Sequence, residues 1–115
     1  MNTASLPFAK VRYSNGLVFL SGEVPFAEDG SIPESIEAQT ELTLARIAET
    51  LRVEGLGLAD VVAVTAYLTD RADFAAFNAV YARHFTAPLP TRTTVCAGLM
   101  IDARVELAVV AAART

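Results

Sequence analysis

Two side chains in this 115-residue chain are best placed to do chemistry, one arginine and one carboxylate. Arg92 stands in Leu89-Pro90-Thr91-Arg92-Thr93-Thr94-Val95, with Pro88 just upstream. Proline fixes its own φ and drives the preceding residue to extended geometry, and the residues after Arg92 are β-branched. Arg92 therefore belongs at the mouth of a strand, on stiff backbone. A planar guanidinium held there can fork both oxygens of a carboxylate; the plainer alternative is a solvated charge or half of a surface ion pair. Glu106 is the lone carboxylate of the apolar run from Arg104 to Ala112. It reads as an ion-pair partner, as a guard against edge pairing, or as a proton handler whose pKa rises in apolar surroundings.

Lesser candidates surround these two. Asn78 follows Phe74 by one helical turn, close to an aromatic stripe, where a buried amide needs partners; a structural bond to the backbone is the simple account. Ser21-Gly22 closes an apolar strand before Pro25. Gly22 allows close backbone approach, but a plain strand terminator explains it as well. One histidine, His84, and one cysteine, Cys96, give no ligand cluster, so no zinc or iron site is expected.

The elements that must position these residues follow from periodicity. Val11–Tyr13 and Leu17–Ser21 flank Ser14-Asn15-Gly16, a hairpin signal, and Leu17–Leu20 is apolar on both faces, as for a central strand covered on both sides. Ser31 or Ser35 caps a helix over roughly 34–54, with Ile36, Thr40, Leu44, Ile47 and Leu51 as its buried stripe. Glu37, Glu41, Glu49, Arg46 and Arg52 fall largely on its solvated face. Val61–Thr69 reads as a strand. Asp70 caps a second helix whose stripe is Phe74, Phe77, Tyr81 and Phe85, read as core, with His84 exposed near its end. A strand to about Ala97, a connection over Gly98–Ala103 and a last strand over Arg104–Ala112 complete the order β-β-α-β-α-β-β. In the last strand Val105, Leu107 and Val109 point one way and Glu106 and Ala108 the other. The architecture expected is a single α+β domain over residues 1–115, a mixed sheet with both helices on one face.

Bulk properties narrow the function. Hydrophobic residues make up 53% of the chain, and mean hydropathy is +0.40. A small domain cannot bury all of this alone, so a homo-oligomer is expected to cover the second sheet face. No apolar run has the length of a membrane span, Met1–Lys10 lacks the pattern of a signal peptide, and a lone cysteine forms no intrachain disulfide. These features point to a cytoplasmic protein without a membrane partner. Net charge is −4, and the basic residues are scattered, which weighs against a nucleic-acid partner.

Six stretches, in order and at matching spacing, resemble the RidA/YjgF/YER057c family of imine deaminases, formerly called L-PSP endoribonucleases. They are Leu17–Pro25, Gln39 with its helix, Asp60–Asp70, Phe77-Asn78 with Tyr81 and Phe85, Pro90–Val95, and Val105–Leu107. The resemblance implies a chorismate-mutase-like fold, a homotrimer with the sheets as an inner barrel, and sites in the clefts between subunits. It implies that Arg92 binds a substrate carboxylate, that Glu106 positions the attacking water, that Asn78 and Ser21 brace the pocket, and that the backbone of Thr94 contacts the substrate nitrogen. The chain departs from the family pattern where Phe8 replaces a site tyrosine, where Thr94 replaces a frequent cysteine, in a connection after Cys96 one residue shorter, and at Ala108, which replaces a second glutamate.

The activity expected is hydrolysis of 2-enamine or 2-imino acids to 2-keto acids and ammonia, on a small-molecule carboxylate substrate and with no cofactor. Alternatives are a related deaminase or hydrolase on a larger catabolic substrate and a non-catalytic keto-acid-binding or chaperone-like trimer. Ribonuclease activity ranks last.

Overall fold

The computed structural model describes residues 6–114; the part of the N-terminal expectation that concerns residues 1–5 lies outside them. The element order is β1 (Val11–Ser14), β2 (Leu17–Leu20), α1 (Ile36–Val53), β3 (Val61–Leu68), α2 (Phe74–Ala82), β4 (Thr91–Cys96) and β5 (Val105–Ala112). The strands form one sheet in the order β1-β2-β5-β3-β4. Only the β3–β4 pairing is parallel, joined through α2; the others are antiparallel.

Local chemistry explains most boundaries. Asn15 and Gly16 both adopt positive φ, 51° and 77°, which suits the two-residue turn that matches strand twist. Ser35, not Ser31, caps α1, accepting from the Ala38 N–H at 3.0 Å. Ser31 instead donates through its backbone and its hydroxyl to Asp29. Asp70 accepts from the Ala72 N–H and caps a 3₁₀ turn, Arg71–Asp73, that leads into α2.

The core lies between the helices and one sheet face. Ile36, Thr40, Leu44, Ile47 and Leu51 of α1 are all buried, and they meet Val18, Val64, Ala66, Leu68, Val105, Leu107, Val109 and Ala111. Strand alternation leaves the second face open. Phe19 is 42% exposed, so β2 is covered on one face within the chain, and β5 rather than β2 is the central strand.

Polar side chains on the helices tie the loops down. Arg46 is not simply solvated: it donates to buried Glu23 at 2.8 Å and to the Phe26 carbonyl at 2.6 Å. His84 is half-buried rather than exposed and meets Glu41 at 2.9 Å. Buried Gln39 donates to the Pro33 carbonyl at 2.7 Å and accepts from the Arg104 N–H at 2.8 Å. This one amide holds the loop before α1 and the start of β5 together. Gln39→Ala removes both bonds and leaves their partners in need of water. It is expected to lower unfolding free energy by about 1–3 kcal/mol, read from a shift in the urea midpoint at unchanged slope.

Candidate active site

The period of two in a strand decides where each candidate points. In the parallel pair, Arg92 lies beside Val64, Thr94 beside Ala66 and Cys96 beside Leu68. Those three β3 residues are buried under the helices, so Arg92 and Thr94 are on the helix face. Glu106 lies opposite Tyr67, on the other face. One chain therefore does not bring Arg92 and Glu106 together; it carries two candidate half-sites on opposite faces of one sheet.

The Arg92 half-site is built on α2. The Arg92 guanidinium lies over the rings of Tyr81, Phe77 and Phe74, at 4.7, 5.3 and 5.8 Å from their centroids. Cation–π attraction in such a setting contributes about 0.5–2 kcal/mol per good contact. Its Nη2 donates to Asn78 Oδ1 at 2.7 Å, so Asn78 braces the arginine rather than the backbone. Asn78 and the rings are neutral, and among the described residues Arg92 has no carboxylate partner. A half-buried cation held in this way, with most of its five donors uncommitted among the described residues, is chemically able to take an anion.

Phe74, expected in the core, is 46% exposed. It forms one wall of a cleft of about 330 Å³, together with Leu68, Arg71, Thr94, Val95 and Cys96. Tyr81 and Phe85 are buried as expected. The Tyr81 hydroxyl is buried without a hydrogen-bond partner. Burial pushes its pKa up, and the nearby Arg92 charge partly opposes this, so the ring meets Arg92 as a neutral phenol.

The Glu106 half-site is on the open face. Its carboxylate has no hydrogen-bond or ion-pair partner among the described residues, and partial burial alone pushes its pKa above the usual carboxylate range. Glu106 is thus no ion-pair partner among the described residues, and it guards no edge, since β5 is the middle strand. It borders a second cleft with Tyr67, Gly98 and Leu99. Gly22 packs directly against it: a Cβ built on Gly22 would collide with a Glu106 carboxylate oxygen and lie 3.0 Å from its Cδ. Gly22 is thus a residue of close approach and not merely a strand terminator. Ser21 donates its hydroxyl to the Ala9 carbonyl at 2.6 Å, which fastens the segment carrying Phe8 beside this half. Phe8 itself is 59% exposed.

The profile of the Endoribonuclease L-PSP family matches residues 2–113. The chain belongs to this family, the RidA/YjgF group. Among its relatives, Protein mmf2, mitochondrial, of Schizosaccharomyces pombe is 44% identical over 92 residues, 80% of this chain and 73% of that protein. Reactive Intermediate Deaminase A, chloroplastic, of Arabidopsis thaliana is 39% identical over 108 residues, 91% of this chain and 58% of that protein. Both names place their proteins in organelles, so the expected cytoplasmic location does not follow from membership. No helix of the described residues is long and apolar enough to cross a membrane. Among solved structures, YEO7_yeast superposes with a TM-score of 0.90 at 32% identity, covering 97% of this chain and 91% of that one. Escherichia coli TdcF with bound serine superposes at 0.87 and 29% identity, covering 94% and 89%.

Gly22→Ala tests the contact between this family member's glycine and its glutamate. The colliding atom is the end of a flexible side chain, so the variant is expected to fold with a near-normal melting temperature. The Glu106 carboxylate then moves, and its pKa, followed by carbon-detected NMR titration, is expected to fall back toward the ordinary value.

Proposed function

We propose that this protein hydrolyses 2-imino acids, and the 2-enamines that tautomerise to them, to 2-keto acids and ammonia. The observation that carries this reading is the Arg92 guanidinium, fixed by Asn78 and three aromatic rings with no carboxylate of its own. The relatives named as reactive intermediate deaminases and the TdcF structure with bound serine support the same direction.

Because Arg92 and Glu106 occupy opposite faces, the site is proposed to form between copies. Arg92, Asn78 and Thr94 of one chain meet Glu106 and Gly22 of another, in a homotrimer whose open sheet faces are turned inward. Arg92 forks the substrate carboxylate, and Thr94 backbone groups orient the imine nitrogen. Glu106 accepts a proton from a water molecule as its oxygen bonds to the imine carbon. That proton passes to nitrogen to give a carbinolamine; Glu106 then carries the hydroxyl proton to the same nitrogen, and as the oxygen becomes the carbonyl the carbon–nitrogen bond breaks, so ammonia leaves and the keto acid remains. No cofactor takes part.

Arg92 and the groups that hold it come from one face of one chain, whereas Glu106 is on the other face and reaches Arg92 only from another copy. This asymmetry favours one second reading, a trimer that binds keto acids at Arg92 without turnover.

The experiment is decay of 2-imino acids generated in situ, with wild type beside Arg92→Ala and Glu106→Gln. Loss of the charged contact in Arg92→Ala is expected to lower kcat/KM by at least about tenfold. Loss of the general base in Glu106→Gln is expected to lower it by about a hundredfold. Wild-type decay at the buffer rate for every imine, with keto acid still bound, would favour the binding protein.

The pH profile follows from Glu106. Its ionised form is the active one and its pKa is raised, so kcat/KM is expected to fall as pH drops through that raised value, above the usual carboxylate range. A carboxylate with a raised folded-state pKa costs stability once it is ionised. Glu106→Gln is therefore expected to raise the melting temperature at neutral pH while activity is lost.

A further inference from the structure

Most arginines of the described residues are committed. Arg46 pairs with Glu23, Arg52 with Glu49, Arg83 with Glu41, Arg104 with Asp73 and Arg114 with Asp60. Arg12, Arg71 and Arg92 have no carboxylate partner among the described residues, and Arg71 borders a cleft that shares a wall with the aromatic bed of Arg92. Arg71 lines the cleft of about 330 Å³ with Phe74 and Thr94, and Phe74 is also a ring over which Arg92 lies. The volume falls within the usual range of small-ligand pockets, about 300–1,000 Å³.

Arg71 opens the 3₁₀ turn before α2, and its neighbouring carboxylates are occupied elsewhere. Asp70 Oδ1 accepts from the Ala72 N–H at 2.9 Å. Buried Asp73 takes two bonds from Arg104, at 3.0 and 2.6 Å. The Arg71 charge is thus left to the cleft. Arg92, Thr94 and Cys96 form one row on the helix face of β4, with Arg92 at one end and Leu68, Cys96 and Arg71 at the other. Four residues of strand span about 13 Å, and Phe74 and Thr94 lie within that span as walls of the cleft that Arg71 lines. Leu68, Phe74 and Val95 give the cleft apolar walls beside Thr94 and Cys96.

We propose that Arg71 is a specificity-determining residue and that the preferred substrates are 2-imino dicarboxylic acids. Arg92 holds the carboxylate next to the imine, and Arg71 holds the carboxylate at the far end of the side chain. The inference rests on Arg92 acting as the carboxylate fork, and it names which acids that fork accepts best.

The test compares two five-carbon keto acids that differ only at the far end, 2-oxoglutarate and 2-oxopentanoate. Their binding to the full chain is measured by titration calorimetry for wild type, Arg71→Leu, Arg71→Glu and Arg92→Ala. Wild type is expected to bind 2-oxoglutarate roughly tenfold more tightly than 2-oxopentanoate. That ratio is expected to fall to about one in Arg71→Leu and to invert in Arg71→Glu, where like charges meet. Arg71 is exposed, so these variants leave the core untouched. Equal wild-type affinities, or a preference that survives in Arg71→Leu, would overturn the inference. If both acids bind without preference and Arg92→Ala abolishes both, Arg71 fails while the Arg92 reading stands. If neither acid binds wild type, both fail.

Discussion

Alternation along the strands of one sheet is the constraint on which the rest of this structure depends. Successive side chains point to opposite faces, so each strand makes one apolar face for the helices and one for whatever lies beyond. Val105, Leu107 and Val109 go to the core and Glu106 goes to the open face. The same rule sends Arg92 and Thr94 under α2. A one-residue slip of β4 would exchange the two sets and expose the guanidinium's aromatic bed. The register is held from both ends, by the buried β3 partners on one side and by the Arg92–Asn78 bond on the other.

Much of the fold was legible because its signals are local and repeated. The Asn15-Gly16 turn, the α1 stripe and the Val105–Val109 alternation each follow from spacing alone. The places where expectation and structure part are those where a long-range partner decides. Leu17–Leu20 looks central because it is apolar throughout, yet strand order depends on which distant segment pairs with it, and β5 takes the centre. Arg46 falls on the polar side of α1, and only the return of Glu23 beside it turns a solvated charge into an ion pair. His84 is similar, since Glu41 lies on another helix.

The candidate site divides the same way. Arg92 was legible as a fixed cation because proline and β-branched neighbours stiffen the chain around it. What holds it was not, since Phe74, Phe77, Asn78 and Tyr81 read as a helix stripe with a polar neighbour until the sheet brings Arg92 onto them. Gly22 was ambiguous for a related reason: its function is a space, and the group that fills it, the Glu106 carboxylate, lies 84 positions away in sequence. Family membership joins these pieces, but the opposite-face arrangement is what makes a second copy a chemical requirement of the proposed mechanism rather than only a cover for apolar surface.

That requirement is tested most directly by mixing two impaired proteins. Arg92→Ala and Glu106→Gln are unfolded together, refolded as mixed oligomers, and assayed on a 2-imino acid that wild type consumes. If each site takes its arginine from one chain and its glutamate from the next, random assembly is expected to restore about a quarter of wild-type activity. Mixed oligomers no more active than the average of the two parents would contradict a site shared between copies.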